Sequence, residues 1–155
     1  YGPFQFPEKL IPKTILNAIE GKKIPIYGDG KNIRDWLFVE DHIDALFLIA
    51  QDGKIGESYC IGANNEKNNI YIVEKIFSIL PKYIPTLKPY SNLIEFVKDR
   101  PGHDKRYAID SNKIKKELGW KPKTNFHEGL KITVEWYINN KEWYQTMIKN
   151  RTIIN

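Results

Sequence analysis

The sequence predicts an α/β or α+β fold, and three observations carry that prediction. Short runs rich in β-branched and aromatic residues alternate with amphipathic helical periods. Gly, Pro, Asn and Asp mark the junctions, and no internal repeat or low-complexity tract intervenes. With 155 residues the chain can bury one substantial core.

Pro3 and Pro7 keep the opening extended. A helix is then predicted from about Ile11 to Glu20. Pro12 is tolerated in its first turn, Gly21 stops it, and Ile11, Ile15, Ala18 and Ile19 share one face. Ile24 to Tyr27 reads as a strand, and the turn Gly28-Asp29-Gly30-Lys31-Asn32 leads to a second from Ile33 to Val39. The pair resembles a hairpin. Asp41 is expected to cap a helix reaching about Ala50, with Ile43, Leu46, Phe47 and Ala50 inward. A strand follows at Glu57 to Ile61. A polar loop from Asn64 to Asn69 then enters a helix with Ile70, Val73, Ile76, Phe77 and Leu80 inward. Pro81, Pro85 and Pro89 break up the next stretch before a strand at Leu93 to Val97. A short helix carrying Ile114 and Leu118 closes at Gly119, with Asp110 or Ser111 as its cap. The last clear helix runs from Phe126 to Asn139, aligning Phe126, Leu130, Val134 and Tyr137.

Composition narrows function by exclusion. Hydrophobic residues at 41% and charged residues at 28% are ordinary for a soluble globular protein. No apolar run approaches a membrane span and no secretory pattern occurs. The single cysteine, Cys60, cannot form an internal disulfide, which suits a reducing cytoplasm. The net charge of +5 is scattered, mostly as Lys, with no basic stripe interleaved with aromatics. That argues against a nucleic-acid binder and leaves a modest field favouring a small anion such as a nucleotide diphosphate. His42, His103 and His127 lie far apart and lack metal-ligand spacing, and no Gly-x-Ser-x-Gly occurs.

Gly28-x-Gly30 lacks the third glycine of a dinucleotide site and leads to a strand where such a site needs a helix N-terminus. The Tyr-x-x-x-Lys pattern occurs twice, as Tyr27…Lys31 and Tyr71…Lys75. The first spans a glycine turn and the second reads as a surface pair on a helix. Two segments resist a packing explanation: Pro25 to Trp36, and Asp99-Arg100-Pro101-Gly102-His103. Each sets an Arg beside turn residues that let the backbone approach a ligand. The chain has only four Arg, and the planar guanidinium matches phosphate oxygens in a bidentate way. Surface ion pairs, Arg34 with Asp35 and Arg100 with Asp99, are the competing reading, and the residues alone leave both open.

Longer stretches carry a resemblance. Tyr1-Gly-Pro-Phe-Gln-Phe-Pro-Glu-Lys-Leu-Ile-Pro12, Tyr27-Gly-Asp-Gly-Lys-Asn-Ile-Arg-Asp-Trp-Leu37 and Val39-Glu-Asp-His42 resemble dTDP-glucose 4,6-dehydratases. So do Asn65-Glu-Lys-Asn-Asn69, Asp99-Arg-Pro-Gly-His-Asp-Lys-Arg-Tyr-Ala-Ile-Asp110 and Leu118-Gly-Trp-Lys-Pro122. The similarity runs in family order from residue 1 to about Trp143, and the tail from Tyr144 to Asn155 has no counterpart. The resemblance implies the C-terminal part of an extended short-chain dehydrogenase/reductase, a Rossmann-type fold, mainly its smaller α+β substrate-binding region. It implies an NAD-dependent lyase that oxidises C4 of the sugar, removes water across C5 and C6, and returns the hydride to C6.

By the same resemblance Lys9 and Leu10 contact the substrate, and Pro25, Ile26 and Tyr27 lie beside the pyrimidine base. Arg34 and Asn69 bind the diphosphate. Asp99, Arg100, Pro101, Gly102 and His103 form a loop closing over the nucleotide, where Arg100 and His103 donate to oxygens. NAD, the catalytic groups and the homodimer contacts are expected in an N-terminal half outside this chain. The opening Tyr1-Gly2-Pro3 also suggests a fragment. UDP-glucose as substrate, or a non-catalytic sugar-nucleotide-binding module, are the alternatives.

Overall fold

A computed structural model describes residues 1–154, with side chains through residue 149. Helix α1 (Leu10–Ile19) forms where Pro12 is accommodated in the first turn, and Gly21, at φ 65°, ends it. The Asn17 side-chain amide donates to the Lys23 carbonyl at 2.6 Å, tying the helix to the strand that follows, β1 (Ile24–Tyr27). The glycine turn then leads into β2 (Ile33–Asp35).

These two strands do not form the expected hairpin. β1 pairs in parallel with β4 (Ile94–Val97), in the register Ile24 with Ile94 through Tyr27 with Val97. β2 pairs antiparallel with β3 (Glu66–Asn68), Ile33 opposite Asn68. A further bridge joins Ile33 to Arg106. Beyond the end of β2 the Asp35 carboxylate accepts from the backbone N–H groups of Ala63, Asn64 and Asn65 at 2.7, 3.3 and 2.8 Å. The expected polar loop before the next helix therefore contains β3, and the expected strand at Glu57 to Ile61 does not form, since the segment joins no ladder.

Helix α2 (Val39–Asp52) begins before Asp41, which lies inside its first turn and is not its cap. The buried Asp41 carboxylate instead accepts the backbone N–H groups of Lys123 and Thr124, both at 3.0 Å, while favouring the positive end of the helix. The expected inward face is the outward one: Ile43, Leu46 and Phe47 are 43%, 45% and 67% exposed. The helix is held through Ala45, which packs with Ile114 and Trp120, flanked by Leu48 and Ile49.

The main core joins α1, α3 (Asn69–Ile79), α5 (Phe126–Asn139) and β1. Ile15, Ile72, Val73, Ile76, Leu80, Leu130, Val134 and Tyr137 are fully buried in it. The inward face of α3 centres on Ile72, Val73, Ile76 and Ile79, so Ile70 and Phe77 flank it and do not fill it. Single-turn 3-10 helices at Leu80–Lys82 and Tyr90–Leu93 bracket the proline-rich stretch. Helix α4 (Asn112–Leu118) ends at Gly119, φ 70°, and Asp110 accepts from the Asn112 N–H at 2.8 Å. Helix α6 (Lys141–Ile154) returns along the core and buries Tyr144. Among the described residues no helix is long and apolar enough to cross a membrane.

Candidate functional site

The Gly28–Gly30 turn fixes one wall of the site. Gly28 and Gly30 take φ values of 57° and 71°, in the left-handed region. A Cβ on Gly30 would stand 2.9 Å from Ile26 Cγ2 and 3.1 Å from Ile70 Cβ, so β1 and the start of α3 can approach only across a glycine. Asp29 closes the turn by accepting the Lys31 N–H at 3.0 Å. The chain then delivers Arg34 at the centre of β2.

Arg34 does not pair with Asp35, whose carboxylate serves the loop described above. Its guanidinium donates to the carbonyls of Ile33 at 2.6 Å and Asp104 at 2.9 Å, contacts His103 Nε2 at 3.0 Å, and lies over the Tyr107 ring at 4.3 Å. Guanidinium has no acceptor, so Nε2 of His103 must carry the lone pair. Nδ1 then carries the proton and donates to Asp99 at 2.6 Å. Nε2 of His103 thus faces Arg34 as an acceptor. Asp99 also accepts the Arg100 backbone N–H at 2.8 Å, and the His103 hydrogen bond first of all holds its carboxyl below the usual carboxylate range. Arg100 forms no ion pair with Asp99 among the described residues; its guanidinium lies over the Tyr27 ring at 5.0 Å.

These groups border one cavity of about 580 Å³ between α1, β1 and the arginine cluster. Of the residues singled out from the sequence, Lys9, Leu10, Pro25, Ile26, Tyr27, Arg34, Asn69, Arg100 and His103 line it. Asp99, Pro101 and Gly102 do not line it: Asp99 orients His103, and Gly102, at φ 70°, turns the loop. Glu8, Lys13, Thr14, Ile24, Trp36 and Tyr107 also line it and were not singled out. Trp36 and Tyr107 sit next to or within motifs already noted, whereas nothing in the sequence marks Thr14. Asn69 opens α3, so the positive end of that helix borders the cavity, while Asn68 caps it by accepting the Tyr71 N–H at 2.8 Å.

The free edge of β1 supplies the remaining polar groups. Gly28 donates to the Val97 carbonyl at 2.9 Å, so the parity of the parallel ladder directs Ile24, Ile26 and Gly28 toward β4. Pro25 and Tyr27 therefore turn their backbone groups the other way. Pro25 has no N–H, so this edge offers a carbonyl at Pro25 and an N–H at Tyr27.

Residues 1–133 match the family described as GDP-mannose 4,6 dehydratase. A dTDP-glucose 4,6-dehydratase from Shigella flexneri is 55% identical over 147 residues, covering 95% of this chain and 41% of its own length. The crystal structure of a dTDP-glucose 4,6-dehydratase from Bacillus anthracis, in complex with NAD, superposes with a TM-score of 0.84 at 50% identity. The alignment covers 95% of this chain and 44% of that one. DesIV, a dTDP-glucose 4,6-dehydratase from Streptomyces venezuelae solved with NAD and TYD bound, gives 0.84 at 39% identity over the same shares. The chain thus spans about two fifths of the length of the curated relatives it matches. It belongs to the GDP-mannose 4,6 dehydratase family.

Proposed function

We propose that this chain supplies the sugar-nucleotide cradle of a nucleotide-sugar 4,6-dehydratase acting on dTDP-glucose. The reaction oxidises C4 to a ketone, removes water across C5 and C6, and returns the hydride to C6. One observation carries the reading: a single cavity joins a strand edge fitted to a pyrimidine dione with a cluster of cations fitted to a diphosphate.

At the base end, thymine and uracil present a carbonyl and the N3–H side by side, which match the Tyr27 N–H and the Pro25 carbonyl. Cytosine would set its N3 lone pair against that carbonyl, leaving two acceptors face to face. At the other end, Arg34 is pinned by carbonyls and by His103, so it meets an anion already oriented. Arg100, Lys9 and Lys13 add charge along the same wall, and Asn69, at the positive end of α3, adds a side-chain amide. On this reading residues 1–143 form the cradle.

The Gly28–Gly30 turn runs into β2, where a dinucleotide pyrophosphate would need a helix N-terminus. These residues do not fit NAD, and no step of hydride transfer is assigned to them. NAD and the homodimer contacts belong, on this reading, to the part of the relatives' length that this chain does not span.

Calorimetry of the chain with dTDP, UDP, dCDP and inorganic pyrophosphate tests the cradle. One-site binding of dTDP and UDP is expected, with dCDP at least about tenfold weaker. The ratio of dTDP to UDP affinity separates the two substrate readings. Absence of dTDP binding would overturn the cradle, and equal binding of dTDP and dCDP would overturn the base assignment.

A further inference from the structure

The described arginine side chains are held in two different ways. Arg106 is spent on a carboxylate, donating to Glu66 at 2.6 and 2.8 Å. Arg34 and Arg100 line the cavity and form no ion pair among the described residues. Each lies over a tyrosine ring instead, Arg34 over Tyr107 at 4.3 Å and Arg100 over Tyr27 at 5.0 Å. The difference matters at an anion site. A carboxylate beside an arginine offsets its charge and competes with a phosphate for the same N–H groups. An aromatic face holds the cation through the ring quadrupole and takes none of those N–H groups.

The local structure fixes Tyr107 against Arg34 at both of its ends. Ile33 donates its N–H to the Lys105 carbonyl at 2.8 Å, and Tyr107 donates its own N–H to the Ile33 carbonyl at 3.0 Å. Residues 105–107 are thereby clamped along β2. The same Ile33 carbonyl accepts from the Arg34 guanidinium. At the far end, the Tyr107 hydroxyl donates to the Asp104 carboxylate, while the Asp104 carbonyl accepts from Arg34 at 2.9 Å. The bonds to Ile33, Asp104 and His103 use three of the five guanidinium N–H groups and leave two for a ligand. Those bonds lie at the edge of the guanidinium. The ring covers its face, and so opposes tilting out of the plane.

Resting on the reading of the cavity as a nucleotide site, we infer that Tyr107 is a positioning residue for diphosphate recognition. Its ring is the shelf that keeps Arg34 aimed at the anion without neutralising it.

Binding of dTDP and of inorganic pyrophosphate to the full chain, followed by NMR titration, tests this. Tyr107→Leu, which removes the aromatic face but keeps an apolar side chain, should weaken both ligands about three- to tenfold. Tyr107→Phe, which keeps the face, should restore most of that loss. In an Arg34→Ala background Tyr107→Leu should cost no further affinity, because the shelf acts only through Arg34. Wild-type affinity in Tyr107→Leu would overturn the inference and leave the cradle intact. A Tyr107→Phe variant as weak as Tyr107→Leu would overturn it as well, by assigning the effect to the hydroxyl. Equal losses in both backgrounds would also sink it, since Tyr107 would then touch the ligand itself or support the fold at large. Failure of the wild-type chain to bind dTDP would remove the cradle itself, and the inference with it.

Discussion

At Arg34 three carbonyl or imidazole acceptors and an aromatic face converge on one guanidinium. An arginine so held loses little freedom on meeting a phosphate. Arg34→Ala should therefore weaken dTDP binding by about 2 kcal/mol or more, as read by calorimetry. The support behind it is sensitive to acid. Asp99 and Arg34 face His103 directly, with the edge of the Tyr27 ring beside them and Asp104 and Arg100 nearby. Because the carboxyl of Asp99 is depressed by the His103 hydrogen bond, its contribution is complete above the ordinary carboxylate range. It is lost as pH falls through the lowered value. Lowering the pH should thus release the 99–103 loop, followed through the His103 ring signals by NMR, and Asp99→Ala should release it at neutral pH. Arg34 and Arg100 were legible in the sequence because arginine is rare here and each sits beside turn residues. Lys13 was not, since a lysine in a Lys-rich chain carries no mark of the cavity it borders.

At the scale of elements, local pattern located most helices and strands but not their partners or faces. The bounds of β1 and α5 coincide with the periodic runs, and β4 and α1 differ from them by a residue. The hairpin failed because a glycine-containing turn is compatible with a hairpin without requiring one, and two ladders remote in sequence replaced it. Helix α2 carries apolar residues on two sides, so its period could not say whether Ile43, Leu46 and Phe47 or Ala45, Leu48 and Ile49 turn inward. The consequence is measurable. Phe47→Asp should change the stability of this chain by no more than about 0.5 kcal/mol in denaturant unfolding. Ile76→Ala, in the centre of α3, should cost about 2–5 kcal/mol. Gly30→Ala should also destabilise, by upwards of about 1 kcal/mol, because its positive φ and the contacts with Ile26 and Ile70 compound.

At the scale of the whole molecule, the question is how much of a dehydratase these residues can be. The cavity wall holds cations and a strand edge, which are groups that bind and orient. Hydride transfer of the kind the resemblance implies needs a tyrosine and a lysine one helical turn apart, at a site that also holds a dinucleotide. Tyr71 and Lys75 do lie one turn apart on α3, with the ammonium 5.1 Å from the ring centre. Yet neither lines the cavity, and Tyr71 packs against Phe126 in the core. Tyr27 and Lys31 are separated by the glycine turn, where Lys31 pairs with Asp29 at 3.3 Å. The chain should therefore bind dTDP-glucose and leave it unchanged. Incubation with dTDP-glucose and NAD, followed by assay for the 4-keto-6-deoxy product, should show none even where calorimetry shows saturation. Product formation would mean that catalytic groups are present among residues read here as cradle. Supplying the remaining length of a relative, such as the Shigella flexneri enzyme, as a second polypeptide should restore turnover if the two parts assemble. Arg34→Ala in this chain should then lower the restored rate at subsaturating substrate, linking the cradle to the reaction it is proposed to serve.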